Sequence, residues 1–214
     1  EIRQAVLDEE RLKQRFLLFE TICLPSLDAQ SCNDFAIVVV APRLLPQVWK
    51  HRLGALSRER PWMHVYYAHE KNFVMSMCSE FILEEILDTN DTFYTFRLDD
   101  DDALSCDFVE RVHRYLRPHF AGLGLSYCRG FFLDISGGEF RIKPKVVPNI
   151  AVGFGYIGSS VIKRTLFDVS ELHHRSHHRF PVITDATRNT FVAVTHATND
   201  RGDARKLNTE ATGA

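Results

Sequence analysis

The chain has 214 residues, of which 45% are apolar, 11% aromatic and 25% charged, a composition that excludes disordered, collagen-like and disulfide-scaffold classes. Its 26 Lys and Arg stand against 28 Asp and Glu, a formal charge of -2, so no global basic field exists to attract nucleic acid or an anionic membrane. The longest apolar stretch, Phe35 to Pro42, falls far short of the ~20 residues that a membrane-spanning helix requires.

In chain order, Leu12, Phe16, Phe19 and Cys23 recur at helical spacing, and Pro25 is expected to stop that helix. Ala36 to Ala41 (AIVVVA) is a continuous apolar run that reads as a strand buried on both faces. Pro46 suits the first turn of a helix carrying Trp49, Leu53 and Leu56 on one side. His64 to Ala68 (HVYYA) is a second strand. Asn72 is placed to cap a helix with a polar row at Ser76, Glu80, Glu84 and Asp88 and apolar residues at Val74, Cys78, Ile82 and Ile86. Phe93 to Leu98 (FYTFRL) is a third strand. Ser105 is expected to cap the next helix, which would bury Phe108, Val109, Val112, Tyr115 and Leu116.

Strand–helix units in succession predict an α/β fold with a mainly parallel sheet and helices on both faces. After Gly122 the rhythm changes to shorter strands at Leu123–Tyr127, Phe131–Ile135, Phe140–Ile142 and Phe191–Thr195. One domain over 1–214 is expected: a nucleotide-binding-like α/β half to about residue 120, a more irregular half over 121–207, and a loose tail over 208–214. The five cysteines (Cys23, Cys32, Cys78, Cys106, Cys128) are odd in number and form no C-x-x-C pair. That argues for a reducing compartment, the cytoplasm, and against a disulfide framework or thiolate zinc site. The chain opens at Glu1 without a signal peptide or initiator Met, so an N-terminal segment is expected to be missing.

The most informative residues are Asp99, Asp100, Asp101 and Asp102. Adjacent carboxylates repel one another, and burial costs free energy unless a cation or hydrogen-bond donors compensate it. They follow a strand directly, at the carboxyl end where open α/β sheets bind ligands. In an extended segment Asp99 and Asp101 point one way, Asp100 and Asp102 the other. Oxygen-only donors suit Mg²⁺ or Mn²⁺ shared with a substrate phosphate. The alternative is a solvated loop whose charge favours the N-terminus of the following helix.

RLDDDDAL after an apolar strand resembles the D-x-D motif of GT-A glycosyltransferases, and the wider pattern resembles a bacterial rhamnosyltransferase family. The matching pieces are Arg15 to Val40, Arg97 to Val112, Gly155 to Arg164 and Phe191 to Asp200. The resemblance implies a GT-A-like (Rossmann-like) fold, a nucleotide-diphosphate sugar donor, a divalent metal on its diphosphate, and a glycan or lipid-linked acceptor. On that reading Asp101 lies on the metal and Asp99 near the ribose, with Arg97, Asp100 and Asp102 on the donor side. His196, with Asn199 beside it, takes the place of a second metal or diphosphate contact; a lone histidine after a strand can equally be a satisfied surface residue. Two departures concern donor identity. The chain opens in the helix that would follow the fold's first strand, and Ala41-Pro42-Arg43 stands where an Asp is often found.

An inverting transferase needs a carboxylate to deprotonate the acceptor hydroxyl. Asp185 is the candidate, because it precedes the segment leading to His196; a cap or surface carboxylate is the alternative. Gly153 to Gly158 fits G-x-G-x-x-G in letter, but the context favours close backbone packing over a dinucleotide site. His173, His174, His177 and His178 read as an exposed, pH-sensitive basic patch with Arg175 and Arg179. The competing class is a catalytically inert nucleotide-sugar-binding module of the same fold.

Overall fold

The computed structural model describes residues 7–68, 79–86, 92–137, 139–169 and 178–196. Asp8 caps the first helix, α1 (Glu9–Leu18), its carboxylate accepting from the Arg11 amide at 3.0 Å. Pro25 does not stop this helix. A π-helical turn, Phe19–Cys23, is followed at once by α2 (Leu24–Asp28), with Pro25 in its first turn. The amide of Leu24 reaches the carbonyl of Phe19, five residues back, so the register slips just before the residue that has no amide to offer. Leu12, Leu18, Phe19, Cys23, Leu24 and Leu27 form the buried side of the continuous rod.

β1 (Ile37–Pro42) and β2 (Met63–Ala68) pair in parallel across α3 (Gln47–Arg58), which Pro46 precedes as N-cap. Trp49 of α3 stacks on Phe16 of α1 with ring centroids 4.3 Å apart. β1 is half-buried except at Ala41, rather than buried on both faces. Among the described residues its ladder partner is β2 alone. The predicted Asn72 cap lies outside the described residues; of that helix, Ser79 onward is helical, with a second π-helical segment at Ile82–Ile86.

The remaining strands correct the expectation of a mainly parallel sheet. One four-stranded sheet has the order β3 (Thr92–Phe96), β8 (Gly155–Ser159), β5 (Gly124–Tyr127), β9 (Val182–Asp185), and only its β5–β9 pair is parallel. The other has the order β4 (Ala103–Leu104), β10 (Phe191–Thr195), β6 (Arg129–Asp134), β7 (Arg141–Val146), and only β10–β6 is parallel. The architecture is mixed α/β. Parallel neighbours need a long crossover, and the second half lacks the length for one between β6 and β7. Cys128 alone separates β5 from β6, and the chain changes sheets across it.

An aromatic row packs against the first of these sheets: Tyr94, Phe96, Phe108, Tyr127 and Tyr115 follow one another at centroid distances of 5.4 to 6.4 Å. The glycine motif belongs to this packing. Its last four residues open β8, which lies between β3 and β5 with no helix N-terminus after it, as the close-packing reading expected. The segment 159–162 is the end of β8 and a turn rather than a separate strand. A Cβ on Gly155 would stand 2.3 Å from the Tyr94 ring and 2.4 Å from the Thr95 carbonyl oxygen. Gly155→Ala is therefore expected to cost about 1–3 kcal/mol by overpacking. Gly137→Ala, with nothing within 4 Å, should stay within about 0.5 kcal/mol. Urea denaturation of the two variants checks the contrast.

Candidate functional site

β3 delivers the aspartates just beyond its own carboxyl end, and the backbone then turns, the Asp102 amide donating to the Asp99 carbonyl at 3.2 Å. This corrects the extended alternation expected from the sequence. After the turn β4 runs antiparallel to β10, Leu104 opposite Phe191 and Ala103 opposite Val192. That register carries the run back toward the end of β10, where His196 follows Thr195. α2 and the residues after it secure the return: the Leu104 amide donates to Ser26 Oγ at 3.2 Å and Gln30 Nε2 to the Ser105 carbonyl at 2.8 Å. Gln30 Oε1 accepts from the Val109 amide at 3.1 Å, satisfying a free donor in the first turn of α4 (Phe108–His113). Asp107, not Ser105, stands at the N-cap of α4, with Ser105 Oγ donating to it at 2.8 Å.

Each carboxylate has its own compensation. Asp99 accepts from Arg97 Nε at 2.9 Å, in an exposed pair. Asp100 is held by both nitrogens of the Arg15 fork, Nε donating at 2.9 Å. Burial nevertheless raises the Asp100 pKa, Arg15 opposing it and the neighbouring aspartates adding to it. Asp101 Oδ2 lies 2.9 Å from His196 Nε2, with both side chains largely buried. Asp102 is 6% exposed and accepts from the Val194 amide at 2.9 Å. Burial, reinforced by the other aspartates and opposed by that amide, pushes its pKa up to about 8. Beneath the run, burial raises the Cys23 thiol strongly, and all four aspartates add to the effect.

One oxygen from each of Asp99, Asp101 and Asp102 lies within 4.8 Å of the others. Three carboxylates on one small volume, one of them buried, form a donor set that could hold a hard divalent cation. His196 stands against the same group through Asp101, whereas Asp100 is drawn aside to Arg15.

Asp185 is not part of this cluster. β9 runs in the same direction as β3 and ends at the same edge, but three strand positions away, or about 14 Å across the sheet. Its Oδ1 accepts from the Thr187 amide at 2.8 Å and hydroxyl at 2.6 Å, and its Oδ2 from the Tyr115 hydroxyl at 3.0 Å. Burial raises its pKa, but Thr187, Tyr115 and Arg111 together hold it below the ordinary value. Among the other carboxylates of the second half, Glu171, Asp200 and Asp203 lie outside the described residues, as do Asn199 and His173, His174 and His177 of the basic patch; His178 is exposed. Arg15 and Gln30, which hold the run, lie in the Arg15–Val40 segment that carries the family resemblance, but nothing in that segment marks either of them for this role.

The chain matches the family model described as "Putative rhamnosyl transferase" over residues 1–207. No curated protein matches it. No helix among the described residues is long and apolar enough to cross a membrane.

The buried Asp102 gives the sharpest test of the geometry. Asp102→Ala removes an acceptor from the Val194 amide and is expected to cost about 1–3 kcal/mol. Asp102→Asn keeps an acceptor and removes a carboxyl whose ionisation is opposed by burial and then by its acidic neighbours, so the metal-free protein should hold or gain stability. Urea midpoints in EDTA measure both.

Proposed function

The chain belongs to the rhamnosyl transferase family that it matches, and from that premise we propose that it is a metal-dependent glycosyltransferase acting on a nucleotide-diphosphate sugar. The observation that carries the proposal is the convergence of Asp99, Asp101 and Asp102 beside His196, just beyond the carboxyl end of β3. The proposed metal is Mn²⁺ or Mg²⁺, held by Asp101 with Asp99 and Asp102, and His196 supplies a nitrogen beside them. When bound, the ion neutralises charge on the departing diphosphate, a contribution of several kcal/mol. The protein's own share is to hold its donors in place before any ligand arrives. Arg15 turns Asp100 away, the Val194 amide fixes Asp102, and His196 orients Asp101. Arg97, exposed beside Asp99, is free to swing toward an anionic donor without uncovering a buried charge. Rhamnose as the sugar follows the family's description, and the acceptor is a glycan or lipid-linked sugar in the cytoplasm.

A second reading, an inert nucleotide-sugar-binding module, is favoured by the state of Asp185. A carboxylate that accepts three hydrogen bonds and is held below its ordinary pKa is a weak general base. The two readings part on turnover. Nucleoside diphosphates should raise the melting temperature with Mn²⁺ and not with EDTA, and Asp101→Ala and His196→Ala should each abolish that shift. Metal-dependent binding without sugar transfer or donor hydrolysis across a donor panel supports the inert module. No shift with any nucleoside diphosphate overturns the donor site itself.

A further inference from the structure

The hairpin β6–β7 forms one margin of the same sheet edge. β7 is the outermost strand of its sheet, and its residues are exposed along almost its whole length. Alternate side chains of a strand point to opposite faces, and this strand sorts them by chemistry. Ile142 and Val146 are 60% and 62% exposed on one face, on either side of Pro144, and Phe140, just before the strand, is 82% exposed. Arg141, Lys143 and Lys145 occupy the other face. The neighbouring acids are already engaged: Glu139 pairs with Arg141 at 3.3 Å, and Asp134 accepts from the Ser136 amide and hydroxyl at 2.9 and 2.6 Å. With Arg129, Arg141, Lys143 and Lys145 against Asp134 and Glu139, the hairpin carries a local excess of positive charge on a chain whose total is -2.

Its place in the fold matters as much as its composition. Asp134 is opposite Thr195 in the β6–β10 ladder, and the Ile135 amide donates to the Thr195 carbonyl at 2.8 Å. The turn end of the hairpin thus stands beside His196, with Arg141 opposite Asp134. Exposed apolar side chains grouped in this way mark an interaction surface. Strand addition by a second protein is poorly served here: Pro144 offers no amide, and lysines flank it, the features that protect an edge strand from pairing. Laid edgewise along a bilayer, an edge strand brings both of its faces to it, so apolar side chains on one flank and cations on the other complement a surface that is apolar within and anionic at its rim.

We infer that the β6–β7 hairpin docks the protein on an anionic lipid bilayer, with Phe140 and Ile142 entering the interface and Arg141, Lys143 and Lys145 meeting the phosphates. The inference is independent of the donor reading, because it is tested without donor or metal. The experiment is co-sedimentation of the full chain with vesicles of phosphatidylcholine alone and of phosphatidylcholine mixed with phosphatidylglycerol. Binding to the mixed vesicles is expected, with loss as salt is raised. Lys143→Glu combined with Lys145→Glu should weaken it about tenfold or more. Phe140→Ser combined with Ile142→Ser should weaken it further at high salt, where the apolar part remains. Phe140, Ile142 and Lys143 are exposed and Lys145 is half-buried, its Nζ 5.9 Å from the centroid of the Phe132 ring; unchanged melting temperatures show that the variants remain folded. Equal partition onto neutral and anionic vesicles, or variants that bind like the parent, would overturn the inference. A concentration-dependent dimer abolished by Phe140→Ser would also overturn it and give the face to a second copy of the chain.

Discussion

Four carboxylates on consecutive residues cannot share one environment, and the structure around them is organised by that constraint. Each is given a different neighbour: Arg97 to Asp99, Arg15 to Asp100, His196 to Asp101 and the Val194 amide to Asp102. These neighbours come from the end of β3, from α1 and from β10 and the residue after it. Elements far apart in sequence are therefore brought together by one acidic turn. The partners are unequal in weight. The exposed Arg97 pair contributes little, as surface ion pairs do. The buried Asp102 is the expensive member, because neither its single amide donor nor its neighbours offset the loss of water.

Local features of the fold were readable because they are written locally. AIVVVA and HVYYA declare strands by their apolar, β-branched and aromatic content, and Phe191–Thr195 is a strand with the bounds its sequence suggests. The arrangement of the second half was not readable in this way. Whether Gly124–Tyr127 pairs with Val182–Asp185 or with its immediate successor depends on long-range geometry, and no periodicity encodes it. Pro25 shows a different failure. A proline breaks an α-helix through the hydrogen bond it cannot make, and the π turn before it changes the register in which that bond would fall.

The same division runs through the candidate site. Acidic residues at the end of a strand announce a charged turn, and the placement of His196 one residue after β10 brought it to Asp101. The turn itself was missed, because an alternation rule assumes extended backbone, whereas Asp102 bonds back to Asp99. Arg15 and Gln30 fall in the segment that carries the resemblance, yet nothing there singles them out; their importance arises only once the helical rod lies against β4. Asp185 looked available because an isolated aspartate carries no mark of its hydrogen bonds, and in the fold it accepts three.

Cys128 bears on how this molecule can move. Its amide donates to the Asp185 carbonyl at the end of β9, and its carbonyl accepts from the Val147 amide just past β7. A residue stitched to both sheets, and forming the whole length of chain between them, leaves no slack for a hinge. The edge bearing Asp185 and the edge leading to the basic hairpin are mechanically continuous at that point. A swing of one against the other there would first have to tear ladder hydrogen bonds. Any rearrangement around an arriving ligand would thus pivot elsewhere than at this seam.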